Sequence, residues 1–176
     1  MFIIMNNKSP LTIMKFLIEN KGEFHVREIA RKTDLSLGFV SRVLRELHKE
    51  RLISVRRKGR MTLYNIEANN PIVKQIKILF TVMKIYPLIK RISSFSRRVI
   101  LFGSAARGEN VPESDIDLFV ISKETPQVRT VVDKFPDIVP IIMGSPEFNR
   151  LKSADPALYE QVNRGVVLWE QSEQQL

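Results

Sequence analysis

Cysteine is absent from all 176 residues. That excludes disulfides, thiolate nucleophiles and cysteine-bound zinc, and fits a reducing cytoplasm. Histidine is scarce: His25 and His48 are the only two, both lie in the first half, and neither is assigned a role. Any metal held by the second half must therefore sit on oxygen, which favours Mg²⁺ or Mn²⁺ over zinc. Long apolar runs are also missing. The most apolar stretch, Ile76 to Ile89, is broken by Lys77, Lys84 and Pro87 and falls short of the ~20 residues of a membrane span. The opening MFIIMNN has no basic start or extended apolar core, so no secretory signal is read. The expectation is a cytoplasmic protein with no membrane partner. An apolar fraction of 44% and a charged fraction of 27% are ordinary for globular domains.

Acidic residues are rare in the first half. Residues 1–98 hold 21 Lys and Arg against 7 Asp and Glu, whereas residues 99–176 hold 7 against 12. The net charge of +9 thus splits into +14 and −5. A basic half joined to an acidic half predicts two modules with different partners, the basic one suited to nucleic acid.

In the first module, Ser9-Pro10 opens a helix with Leu11, Met14, Leu17 and Ile18 at helical spacing, ended by Gly22. Phe24-His25-Val26 reads as a short strand, followed by the helix REIARKTD and a turn at Leu35-Ser36. The third helix, SLGFVSRVLRELHKER, buries Val40, Val43, Leu44 and Leu47 and leaves Ser41, Arg42, Arg45 and Lys49 outside. Leu52 to Val55 and Met61 to Ile66 read as strands joined through Arg56-Arg57-Lys58-Gly59-Arg60. This order of elements resembles the winged helix-turn-helix of bacterial and archaeal regulators. The resemblance implies that Ser36, Ser41, Arg42 and Arg45 face double-stranded DNA, and that Arg56, Arg57, Lys58 and Arg60 of the wing track phosphate. Arg51 departs from the pattern, because relatives often place glycine there to end the recognition helix. Arginine takes the left-handed conformation at a cost, so a different helix end is expected.

Asn70-Pro71 starts a connecting helix with Ile72, Ile76, Leu79 and Met83 on one face. Lys74, Lys77 and Lys84 are placed on the wet side. Pro87 is expected to break the helix and begin a second, short one to about Ser94. So apolar a segment needs cover from neighbouring domains or from a second subunit, and it is read as bridging the modules and helping to build a homodimer.

The second module carries the chemistry. The apolar run Val99 to Phe102 leads into Gly103-Ser104, and ten residues later Asp115 and Asp117 flank Ile116 and open a second apolar run. Alternate strand residues share a face, so the two carboxylates point together while Ile116 and Leu118 turn to the core. Carboxylates that close repel unless one is protonated or a cation intervenes. A metal-dependent nucleotide site follows. A P-loop is excluded, since Glu109-Asn110 stand where it needs Lys-Ser/Thr.

FGSAARGENVPESDIDLFV resembles the minimal nucleotidyltransferases of the polymerase β-like superfamily, over about Arg97 to Glu170. The resemblance implies nucleoside triphosphate as substrate, with Gly103, Ser104 and Arg107 binding nucleotide. Asp115 and Asp117 would be catalytic and hold Mg²⁺ or Mn²⁺. Arg107 has an alternative, an ion pair with Glu109 or Glu113. Active members add a third carboxylate on a later strand. Here that position falls on Val139, with Asp137 as a substitute two residues earlier and Pro140 marking an edge or bulge.

The fold expected is α+β or α/β. A winged helix-turn-helix (residues 8–68) leads through bridging helices (69–96) to a small mixed-sheet nucleotidyltransferase domain (97–171). Three functions are open: nucleoside monophosphate transfer to a hydroxyl acceptor beside DNA, a nucleotide-sensing transcription regulator without turnover, and an antitoxin-like interaction protein. The acceptor could be a protein side chain, a small molecule or an RNA end.

Overall fold

Apolar residues at helical spacing, closed off by two strands, build the first of two units in this computed structural model. The structure describes residues 10–171, and the boundary between the units falls between Ile76 and Lys77. The first unit contains α1 (Pro10–Glu19), β1 (Phe24–His25), α2 (Val26–Thr33), α3 (Leu37–Lys49), β2 (Ile53–Lys58) and β3 (Met61–Ile66). Ser9, expected to cap α1, lies outside the described residues. His25 closes the start of α2, its Nδ1 accepting the Arg27 N–H at 3.3 Å. Ser36 caps α3 by accepting the Phe39 N–H at 3.3 Å. The spacing read from the sequence holds in α3: Val40, Val43, Leu44 and Leu47 are buried against Ile13, Leu17, Ile29 and Ile53. Each such side chain contributes about 1.5–3 kcal/mol.

The end of α3 differs from the expectation at Arg51. The left-handed turn is kept, with Arg51 at φ 57°. Leu52 N–H donates to Leu47 O and Arg51 N–H to His48 O, the paired bonds of a Schellman turn. Asn70 Nδ2 holds the Arg51 carbonyl at 3.0 Å, so a long-range contact fixes the conformation that arginine disfavours. The hairpin is also longer than expected. β2 runs on to Lys58, which pairs with Met61, leaving only Gly59-Arg60 as the turn, with Gly59 at φ 60°. Arg56, Arg57 and Lys58 are therefore strand residues, alternating between faces, rather than a loop.

The helix α4 (Pro71–Ile92) starts in the first unit and continues into the second. Asn70 Oδ1 caps it by accepting the Ile72 N–H at 2.8 Å. Pro87 does not break it, contrary to expectation. The missing donor costs one bond, but Ile85, Leu88, Ile89 and Ile92 straddle the proline and pack into the second unit's core. The buried side of α4 also differs from the sequence reading: Lys77 is buried, while Ile72 and Leu79 are exposed.

After a 3₁₀ turn (Ser93–Phe95), the second unit comprises β4 (Arg98–Leu101), α5 (Gly103–Ala106), β5 (Ile116–Ile121), α6 (Thr125–Val132), β6 (Ile138–Met143), α7 (Ser145–Ala154), α8 (Pro156–Asn163) and β7 (Val166–Glu170). The strands form one mixed sheet in the order β6-β5-β4-β7, with β5 and β6 parallel and the other pairs antiparallel. β6 is an edge strand, as Pro140 requires. One face of the sheet packs Val99, Leu101, Ile116, Leu118 and Val120 against α4 and α6. The other packs Ile100, Phe119 and Ile121 against Leu151 of α7 and Val162 of α8.

The strained helix end gives a stability test. Arg51→Val should lower stability by roughly 1–2 kcal/mol, because a β-branched residue resists positive φ. Arg51→Gly should hold or raise it. Thermal unfolding followed by circular dichroism reads both.

Candidate active site

The site forms where β4 ends beside the start of β5. Leu101 pairs with Leu118, and one step further Phe102 N–H donates to Asp117 O at 3.1 Å. This stitches the Gly103 turn against the Asp117 side chain. Gly103 sits at φ 69°, and a Cβ built on it would collide with Asp117 Oδ2. Glycine is thus required twice, by the backbone conformation and by the space the carboxylate fills. Ser104 follows in α5, and its carbonyl accepts both Arg107 N–H and Glu109 N–H, folding the next residues back over the turn. Gly108 at φ 65° and Glu113 at φ 69° shape the loop that returns to Asp115.

Ile116 and Leu118 are buried, as strand alternation predicts, and Asp117 emerges on the opposite face, half-buried. Burial, and secondly the charge of Asp115, push the Asp117 carboxyl above its usual range, while Arg107 pulls it back. Arg107 lies close enough to act on Asp117, yet its Nε is paired with Glu109 Oε2 at 2.8 Å. The structure therefore brings together Gly103, Ser104, Arg107, Asp115 and Asp117 within one strand-turn-strand unit.

Among the described residues no third carboxylate joins the pair. Val139 is registered opposite Asp117 in the parallel β5–β6 pair and is 44% exposed. Asp137 gives its backbone carbonyl to Ile116 N–H, while its side chain is held by Lys84 Nζ at 2.7 Å. Among the described residues no three His, Cys, Asp or Glu gather into a metal-binding group. Two carboxylates, one of them resisting ionisation, still suit Mg²⁺, which keeps several waters and takes its other ligands from phosphate. Sequence reading passed over Asn110, whose side-chain carbonyl is buried in the site loop without a hydrogen-bond partner. No pattern in the sequence marks it. Gly165 also has a required place: a Cβ there would strike Leu101 O, at the end of the strand that leads into Gly103.

On the first unit, Arg42 and Arg45 are exposed on α3, with Arg42 stacked over Phe39 at 5.4 Å, and Ser41 is half-buried. Ser36 uses its hydroxyl oxygen in the cap. On the hairpin, Arg56 is paired with Glu23 at 3.5 Å, while Arg57, Lys58 and Arg60 are exposed.

A helix-turn-helix with a basic hairpin makes up the first unit, and a Gly-Ser turn set against Asp117 marks the second. Residues 11–57 match the family model of the IclR helix-turn-helix domain, and residues 88–174 match that of polymerase beta-type nucleotidyltransferases. The chain is a winged helix-turn-helix domain followed by a nucleotidyltransferase domain of the polymerase β-like superfamily. No curated protein matches its sequence. Two solved structures are similar. One is the homodimeric winged helix-turn-helix DNA-binding domain of a possible ArsR-family regulator from Mycobacterium bovis, 26% identical, with 49% of this chain and 72% of that one covered and a TM-score of 0.35. The other is a proposed nucleotidyltransferase from Sulfolobus solfataricus, 19% identical, with 60% and 94% covered and a TM-score of 0.42. Among the described residues no helix is long and apolar enough to cross a membrane.

The raised Asp117 carboxyl has a measurable consequence. The folded chain holds that proton more tightly than the unfolded chain, so stability falls as pH rises from the ordinary carboxylate value through the raised one. At neutral pH the ionised group is a standing cost. Asp117→Asn should therefore raise the melting temperature of metal-free protein at pH 7. Mg²⁺ should raise it for the parent chain and not for the variant.

Proposed function

We propose that the second domain transfers a nucleoside monophosphate from a nucleoside triphosphate to a hydroxyl acceptor, using Mg²⁺ or Mn²⁺, while the first domain binds double-stranded DNA. The observation that supports it most is the Gly103 turn packed against the Asp117 carboxylate, with Ser104 next in the chain. In this reading Asp115 and Asp117 hold the cation. When bound, the cation neutralises charge on the triphosphate and on the departing pyrophosphate. Gly103 lets the phosphates approach the backbone, Ser104 donates its hydroxyl and amide to them, and Arg107 exchanges Glu109 for a phosphate oxygen. The acceptor oxygen bonds to the α-phosphorus as the bond from that phosphorus to the bridging oxygen breaks; the acceptor's proton passes to solvent and pyrophosphate leaves. Cytoplasm supplies both DNA and nucleotide.

Incubation with α-labelled nucleoside triphosphates, Mg²⁺ and cell lysate tests the transfer. A labelled acceptor should appear, and Asp115→Ala or Asp117→Ala should lower labelling at least ~100-fold. Labelling that survives loss of both aspartates removes them from the mechanism. For DNA, Arg42→Ala with Arg45→Ala should weaken binding to a selected operator by about 1–3 kcal/mol per lost base contact. Neutralising Arg57, Lys58 and Arg60 should mainly flatten the dependence on salt.

Val139 favours a second reading. With an apolar side chain opposite Asp117 and Asp137 engaged by Lys84, no third carboxylate among the described residues joins the pair to take the acceptor proton, which suits a regulator that binds nucleotide without turning it over. Val139→Asp separates the two. If the parent chain binds nucleotide and labels nothing while Val139→Asp labels an acceptor, the sensing role holds.

A further inference from the structure

The second unit is acidic, with 12 Asp and Glu against 7 Lys and Arg over residues 99–176. Its sheet nevertheless gathers cations at one end, the end away from the Gly103 turn. Two adjoining recesses lie there and share Ser145, the first residue of α7. The larger, about 640 Å³, is lined by Arg97 and Arg98 where β4 begins and by Asn149 of α7. The smaller, about 480 Å³, lies where the parallel strands β5 and β6 end, and is lined by Lys123 and Arg150. Both volumes suit a small molecule, and the crevice beyond the carboxyl ends of parallel strands is where open α/β sheets take ligands. From Asp117 to Ser122, which lines the smaller recess, is five residues, about 17 Å along an extended chain. Neither recess is part of the candidate active site.

The balance of charge says what would fill them. Among the described residues two acids line the recesses, and both are engaged. Glu147 Oε2 accepts the Gly144 N–H at 2.7 Å, and Glu170 Oε1 lies 3.3 Å from Arg98 Nε. The second contact is loose: Glu170 is 59% exposed, and the Arg98 Nε–H is buried without a hydrogen bond. An exposed pair of this kind is weak, and an anion's oxygen can take the carboxylate's place. Arg97, Lys123 and Arg150 have no ion-pair partner among the described residues. Arginine's planar fork takes two oxygens of one phosphate, and the Ser145 hydroxyl and the Asn149 amide are neutral donors between the cations. Two cationic recesses meeting at one serine match two linked phosphates, one in each. We propose that this end of the sheet is a second ligand site, binding a diphosphate, free or carried on a nucleoside, through Arg97, Arg98, Lys123 and Arg150.

The full chain in a chelating buffer at about 0.15 M salt tests this, because Asp115 and Asp117 without a cation repel the same anion. Titration with inorganic diphosphate, followed by amide NMR, should saturate below about 1 mM and move the signals of Arg98, Ser145 and Asn149. Arg97→Gln with Arg150→Gln should weaken binding at least about tenfold. Both side chains are exposed, so the far-ultraviolet circular dichroism should stay unchanged. Arg57→Gln with Lys58→Gln, on the wing, should leave the affinity as it is. Adenosine diphosphate separates the two sources: tighter binding than inorganic diphosphate assigns the site to a nucleotide, and equal or weaker binding assigns it to the free anion. A titration that does not saturate by about 1 mM overturns the proposal. So does binding that ignores the Arg97 and Arg150 changes, or shifts confined to the wing or the Gly103 turn.

Discussion

The close packing of Gly103 against the Asp117 carboxylate is the constraint on which the second domain turns. It demands a residue without a Cβ, a positive φ, and a strand end held in register by the Phe102–Asp117 hydrogen bond. Everything around it serves that placement. The antiparallel β4–β5 pair sets the register, and the alternation along β5 sends Ile116 and Leu118 one way and Asp117 the other. Gly165 makes room where β7 approaches Leu101. Both faces of the sheet are covered by helices, so the strands that carry the site cannot shift without disturbing two cores.

Much of this was legible from the residues. The period of the apolar side chains located α3 and its buried stripe, and alternation around Asp117 gave the strand that buries Ile116 and Leu118. Pro140 gave the edge. What stayed hidden depended on distant partners. Pro87 reads as a breaker until the core on either side of it is known. Arg51 reads as a misfit until Asn70, 19 residues on, is seen to hold its carbonyl. Lys84 and Asp137 are 53 residues apart and show no pattern. Of the α4 face given as apolar, Ile72 and Leu79 are exposed, because the helix is apolar beyond one stripe and a single-period reading does not tell which side the core takes.

The site is arranged against its own stability. Asp117 is drawn partly out of water beside another acid, an arrangement that weakens the folded state when both are ionised. The large apolar cores on both sides of the sheet offset the loss.

The two rims of the second domain's sheet are both spoiled for further strand pairing. Pro140 leaves a gap in the donor row of β6, and a register shift kinks the β4–β7 ladder between Val99 and Ile100. Neighbouring molecules in a crowded solution meet no straight ribbon on which to zip up, so growth into fibrous order is blocked at each side.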